Sequence, residues 1–136
     1  MSSPLFWPRA VFGLLFVIIT FLTLTPNPVE SEPGFALTRW IANYLLGDAK
    51  NADKIGHFLA YACLGLTAFW AQLAVLSKRW AVTLALAAYG VLLEGLQGLG
   101  GVRSPEVADA VANGLGALAG FAGALVLVRL NKFRAP

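Results

Sequence analysis

The chain has 136 residues, of which 58% are apolar and 12% charged, with a net charge of +3. Ordinary globular proteins carry about 45–50% apolar and about 25% charged residues. A soluble domain of this length cannot hide so much apolar surface, whereas a bilayer solvates it. The length suits a single domain over residues 1–136. One cysteine, Cys63, excludes a disulfide framework or a cysteine-based zinc site within the chain. The pI near 9.4 is not a nucleic-acid signal, because the basic residues flank apolar runs; the expected partner is the lipid bilayer.

A helix needs about 20 residues to cross the hydrocarbon core. Four stretches come close: 7–25, 57–76, 80–99 and 107–128. The first begins near Trp7 and Arg9 and ends at Pro26-Asn27-Pro28. A cleaved signal peptide is the rival reading there. Thr23-Leu24-Thr25 is a poor match to a small-residue cleavage site, so the segment is expected to stay as a helix. Between the first two stretches, 35–46 reads as a short amphipathic helix. Phe35, Ile41, Leu45 and Leu46 would lie on the membrane surface, with Trp40 and Tyr44 at headgroup level. An irregular loop is the alternative. The expected fold is an all-α integral membrane protein, a four-transmembrane-helix bundle with a short interfacial helix in the first outer loop.

Charge placement orients the bundle. Four spans put both termini and the 77–79 turn on one side, which carries Arg9, Lys78, Arg79, Arg129, Lys132 and Arg134 and no acid. The other side holds Arg39, Lys50, Lys54 and Arg103 with all seven acids: Glu30, Glu32, Asp48, Asp53, Glu94, Glu106 and Asp109. Lys and Arg near the spans stay cytoplasmic. Both termini are therefore expected in the cytoplasm, with the polar side facing outward from a bacterial inner membrane.

The polar residues tolerated near the spans carry the functional information. Asp53, His57 and Tyr61 are spaced by four and form one helix stripe. Glu94 and Gln97 lie near the outer end of the third span, and Arg103 follows in a glycine-rich turn. Ser104-Pro105-Glu106 reads as a helix start, with Ser as N-cap and Pro at the first position. Asp109 and Asn113 then share a face of the fourth span. All reach one depth, in the outer leaflet or its interface. Such groups face one another rather than lipid. Asp53 or Asp109 is expected to pair with Arg103, and Glu94 with His57 or Lys54. The bland alternative is a polar knot that fixes helix packing. Gly116, Gly120 and Ala124 form a small-residue face on the fourth span, expected to pack within the monomer; a homodimer seam is the alternative.

Asp53-Lys54, His57, Tyr61, Glu94, Gln97, Arg103, Asp109, Asn113 and Gly116 together resemble the pattern of the VanZ-like family, over residues 53–120. That family is named for a membrane protein of glycopeptide-resistance clusters, associated with low-level teicoplanin resistance. The Pro26-Asn27-Pro28 exit is similar as well. The chain departs from the pattern where Gly98, Gly100 and Gly101 replace the polar or aromatic residues usual around the glutamine. The resemblance implies a four-helix membrane protein of the cell envelope and no settled activity. Antibiotic resistance stays an association of the family.

Three function classes follow. The first is a non-enzymatic envelope protein whose outer cluster binds a lipid-linked or amphiphilic ligand, or a partner protein. Asp53, Lys54, His57, Tyr61, Glu94, Gln97, Arg103, Asp109 and Asn113 are its candidate binding residues. The second is a membrane enzyme acting on a phospholipid or polyprenyl-phosphate headgroup. His57 would be the base, with Glu94 or Asp109 as acid partners. No nucleophile motif accompanies them; Ser104 reads as a cap, and Cys63 points to another face. Proton-coupled transport is the third and weakest, because the polar groups gather at one end. No cofactor is expected. A zinc site lacks ligands in a chain with one histidine, and no metal is assigned. A hard cation on Asp53, Glu94 and Asp109 is conceivable, with Lys54 and Arg103 as phosphate contacts.

Overall fold

The computed structural model describes residues 4–25, 33–47, 49–100 and 105–134. These form five α-helices: α1 Phe6–Leu24, α2 Pro33–Leu46, α3 Ala52–Trp70, α4 Ala81–Leu99 and α5 Val107–Arg134. A 3-10 turn, Ala49–Asn51, leads into α3. Three helices are long and apolar enough to cross a membrane: Phe6–Leu24, Ala81–Leu99 and Val107–Asn131. The 19-residue α3 matches α1 and α4 in length. Asp53, Lys54 and His57 in its first turns lower its apolarity.

Contacts between the ends fix the directions of the helices. Arg9, at the start of α1, donates Nε–H to Ala71 O, just past the end of α3. At the other end of α1, Gln97 of α4 bonds the carbonyl of Thr23. Between them Phe16 stacks on Tyr89 at 4.6 Å, and Thr20 Oγ1 lies 2.8 Å from Tyr89 Oη. Thus α1 and α4 run together, opposite to α3 and α5.

The tightest pair is α3 with α5, and it is parallel. Gly65 meets the backbone of Ala117, Gly116 that of Phe58, and Gly120 that of Ala62. A methyl group at any of the three would overlap the facing carbonyl oxygen. Small residues allow such close approach where no hydrophobic force distinguishes helix from lipid. Gly116, Gly120 and the fully buried Ala124 therefore pack within the monomer, as expected, with Gly65 as the unforeseen partner. Tyr61, Leu64, Ala68, Val82, Leu86 and Ala117 form the core, with Phe12, Leu15, Phe16 and Ile19 of α1 packed against it.

The apolar stretch 57–76 is not one helix, which corrects the expected second span. The helix starts at Ala52 and ends at Trp70. Gln72 takes φ 54°, while its N–H bonds Phe69 O and the N–H of Leu73 bonds Ala68 O. This double bond pattern closes a helix, usually with glycine in Gln72's place. Leu73 returns to the core. Leu76 and Ser77 then take φ 49° and 61° between the paired Val75 and Lys78, as a tight type I′ turn requires. Hydropathy cannot register such backbone choices. Arg79 completes the end of α3: Nη2 donates to Phe69 O at 2.5 Å, and the guanidinium lies 4.5 Å over the Phe69 ring. Cations suit the carbonyl end of a helix.

The segment read as interfacial is helical, as α2. Ala42 is fully buried, while Leu37, Trp40, Tyr44 and Leu45 are exposed. Trp40 stacks on Tyr44 at 5.8 Å. Ile41 is half-buried rather than surface-lying. Thr38 approaches Gly56, so α2 rests on the first turns of α3. Pro26-Asn27-Pro28, Glu30, Glu32, Asp48, Arg103 and Ser104, and the side chains of Phe35, Leu46, Lys132 and Arg134, lie outside the described residues.

Candidate functional site

Because α3 and α5 run parallel in glycine-set register, their N-terminal turns lie level. The last turns of α4 come up beside them. The carbonyl of Glu106 accepts from the N–H groups of Asp109 and Ala110, so Glu106 occupies the cap position of α5. This corrects the expected start, which placed Pro105 at the first helical position. Pro105 packs instead against Gly98 of α4, leaving the helix to begin at Val107. Asp109 falls in the first turn, where the helix dipole favours a negative charge.

Lys54 Nζ sits among three carboxylates. It lies 2.7 Å from Glu106 Oε2, 3.2 Å from Asp53 Oδ2 and 3.5 Å from Asp109 Oδ1. Lys54 donates hydrogen bonds to both Glu106 and Asp53. The expected Glu94–Lys54 pair gives way to Glu106, which sequence reasoning treated only as a first-turn acid. Its spacing of three from Asp109 was the available signal.

His57 joins the other half of the cluster. Its Nδ1 is 3.0 Å from Asn113 Oδ1. An amide oxygen only accepts, so Nδ1 carries the proton. Nε2 then faces Asp109 Oδ2 at 3.7 Å and Glu94 Oε1 at 4.0 Å. The expected approach of Glu94 to His57 is thus present. Glu94 Oε2 accepts a long bond, 3.4 Å, from the Glu106 amide. Gly90 lets α4 close on Asn113, since a methyl there would stand 2.8 Å from Asn113 Cβ.

Burial makes the arrangement costly. Asp109 is 2% exposed, and its Oδ1 has no hydrogen-bond partner among the described residues. Glu94, Gln97 and Asn113 are buried too. Tyr61, 1% exposed, carries a hydroxyl with no hydrogen-bond partner among the described residues, one turn deeper than His57. A carboxylate taken out of water costs several kcal/mol unless charges and hydrogen bonds compensate it.

Of the sequence-derived residues, Asp53, Lys54, His57, Glu94, Asp109 and Asn113 form one connected cluster. Gln97 turns away to hold α1, and Arg103 lies outside the described residues, so its pairing with Asp53 or Asp109 does too. Cys63 is exposed on another face, as expected. Among the described residues, two sets of side chains converge closely enough to share an ion: His57, Glu94 and Asp109, and Asp53, Glu106 and Asp109. Asp53 and Glu94 thus fall in different sets, joined by Asp109.

These features define a helical membrane protein with a buried, mixed-charge polar cluster at one end of three helices. The chain matches the VanZ/LLP1 family over residues 9–129 and belongs to it. No curated protein and no solved structure matches the chain.

Proposed function

We propose that the four long helices each cross a bacterial inner membrane, with both termini cytoplasmic, and that the opposite end binds the headgroup of an amphiphilic envelope ligand. The orientation rests on the charge placement: Arg9 and Arg79 cap one end of α3, and the acids gather at the other. Cysteines placed at Ser77 or Lys50 in a Cys63→Ala background test it. An impermeant maleimide added to intact spheroplasts is expected to label position 50 and not 77; the reverse pattern overturns the orientation.

The ligand reading rests on one juxtaposition. An open apolar depression of about 550 Å³ lies against α1, lined by Phe16, Val17, Thr20, Phe21, Leu24 and Thr25 of that helix. Its upper end lies beside Thr23, which Gln97 grips one turn from Glu94. An apolar chain against this face of α1 with its polar head at the cluster would describe a lipid-linked molecule. Mass spectrometry of the protein extracted in mild detergent is the test. The wild type is expected to retain one amphiphile class that Glu94→Gln and Asp109→Asn lose. Identical lipids in all three would sink the reading, and a retained protein in place of a lipid would shift it to a partner.

A second reading, an enzyme acting on a phospholipid or polyprenyl-phosphate headgroup, draws support from the Asn113 bond that fixes His57's tautomer. Turnover of a supplied lipid, lost in folded His57→Ala, would favour it over simple binding. Proton transport has the least support, because Leu64, Ala68 and Leu86 fill the bundle beyond Tyr61.

A further inference from the structure

Among the described residues the cluster holds two groups of converging donor atoms. Around Asp53, Glu106 and Asp109 the chain supplies its own cation: the Lys54 ammonium reaches all three carboxylates within 3.5 Å. Asp109 divides its oxygens, Oδ1 toward Lys54 and Oδ2 toward His57. On the His57 side the three donor atoms, Nε2, Glu94 Oε1 and Asp109 Oδ2, lie within 4.8 Å of one another.

Two arrangements suit such a trio. A direct hydrogen bond between Nε2 and a carboxylate would place the two atoms about 2.7–3.2 Å apart. The separations are instead 3.7 and 4.0 Å. Ligands around a common ion at bonds of about 2.0–2.2 Å stand roughly 3–3.5 Å apart, within a small inward shift of these positions. The tautomer agrees. Asn113 Oδ1 accepts the hydrogen bond from Nδ1–H, which turns Nε2 toward the carboxylates. A histidine fixed through its other nitrogen by an oxygen acceptor is the usual companion of a bound metal. The Asp109 carboxylate is 2% exposed and turns Oδ2 toward this same centre, while its Oδ1 faces Lys54.

The geometry points to a divalent transition-metal site formed by His57 Nε2, Glu94 Oε1 and Asp109 Oδ2, with Asn113 as the orienting partner of His57. One imidazole with two carboxylates suits Zn²⁺ or Mn²⁺ better than Mg²⁺ or Ca²⁺, which take oxygen ligands alone. Three protein ligands leave a coordination position open. The inference does not depend on the amphiphile reading, since a metal can bind with or without a lipid.

The test uses the full chain, purified in detergent through a tag without histidine, stripped with chelator and then titrated with Zn²⁺ and Mn²⁺. His57 is the sole histidine, so an imidazole signature in the X-ray absorption spectrum of bound Zn²⁺ or the pulsed-resonance spectrum of bound Mn²⁺ is assigned without ambiguity. About one equivalent per chain is expected, with that signature. Affinity should fall at least about 100-fold in His57→Ala and Asp109→Asn and about 10-fold in Asn113→Ala. Thr67→Ala, at the far end of α3, should bind as the wild type does. Absence of stoichiometric binding to folded wild type, or binding without an imidazole signature, overturns the site. Should a variant fail to fold, the wild-type stoichiometry and spectrum decide alone.

Discussion

Gly120→Val is expected to cost more than about 3 kcal/mol, the upper range for overpacking an interior, and to abolish every function of the cluster with it. A side chain at Gly120 would overlap the carbonyl oxygen of Ala62. That atom belongs to a helix backbone and cannot rotate away, so α3 and α5 must separate. Separation would also strain the contacts of Gly65 and Gly116 along the same seam, and the edge-on packing of Phe69 and Phe121 at 5.2 Å. At the level of the site it would draw His57 from Asn113. Gly123 is the internal control. A Cβ there meets nothing within 4 Å, so Gly123→Ala should gain up to about 1 kcal/mol from helix propensity. Reversible unfolding in detergent, followed by the fluorescence of the four tryptophans, reads both. A loss below about 1 kcal/mol for Gly120→Val would mean that the seam is not tight.

How much of this was legible in the chain differs by level. The limits of α1 and α4 followed from hydropathy because each apolar run is bounded by Arg, Pro or Gly. The end of α3 did not, since Ala71 to Leu76 remains mostly apolar while Gln72, Leu76 and Ser77 adopt left-handed backbone that no composition signals. The common depth of His57, Glu94, Asp109 and Asn113 could be read from helical spacing alone. Their lateral pairing could not, because it depends on the register of α3 against α5. Three glycines set that register through contacts with backbone atoms, and a glycine's partner is not encoded in its neighbours. For the same reason Lys54 found Glu106, and Gln97 found α1. Arg9 and Arg79 read as topological charges; in the fold they also satisfy the carbonyl end of α3.

The second large effect separates binding from stability at Asp109. Replacing its carboxylate by the isosteric amide should weaken amphiphile retention by at least tenfold and metal affinity by at least about 100-fold, since the charge is what a headgroup or a cation would engage. The same substitution should leave the fold as stable, or more so. Asp109 is buried, its contacts to Lys54 and His57 are long at 3.5 and 3.7 Å, and Oδ1 has no hydrogen bond among the described residues. Lys54 retains its shorter contacts to Glu106 and Asp53. Removal of a poorly compensated buried charge relieves desolvation. A polar knot kept for packing behaves in the opposite way: breaking a well-made buried pair costs about 3–5 kcal/mol.

The deciding measurement is therefore the thermal unfolding midpoint of Asp109→Asn against wild type, in detergent after chelation so that no bound ion contributes. A site retained for recognition predicts an equal or higher midpoint in the variant. A fall of roughly 10 °C or more, the shift expected for about 3 kcal/mol in a domain of this size, would contradict it and make the cluster a structural fastening.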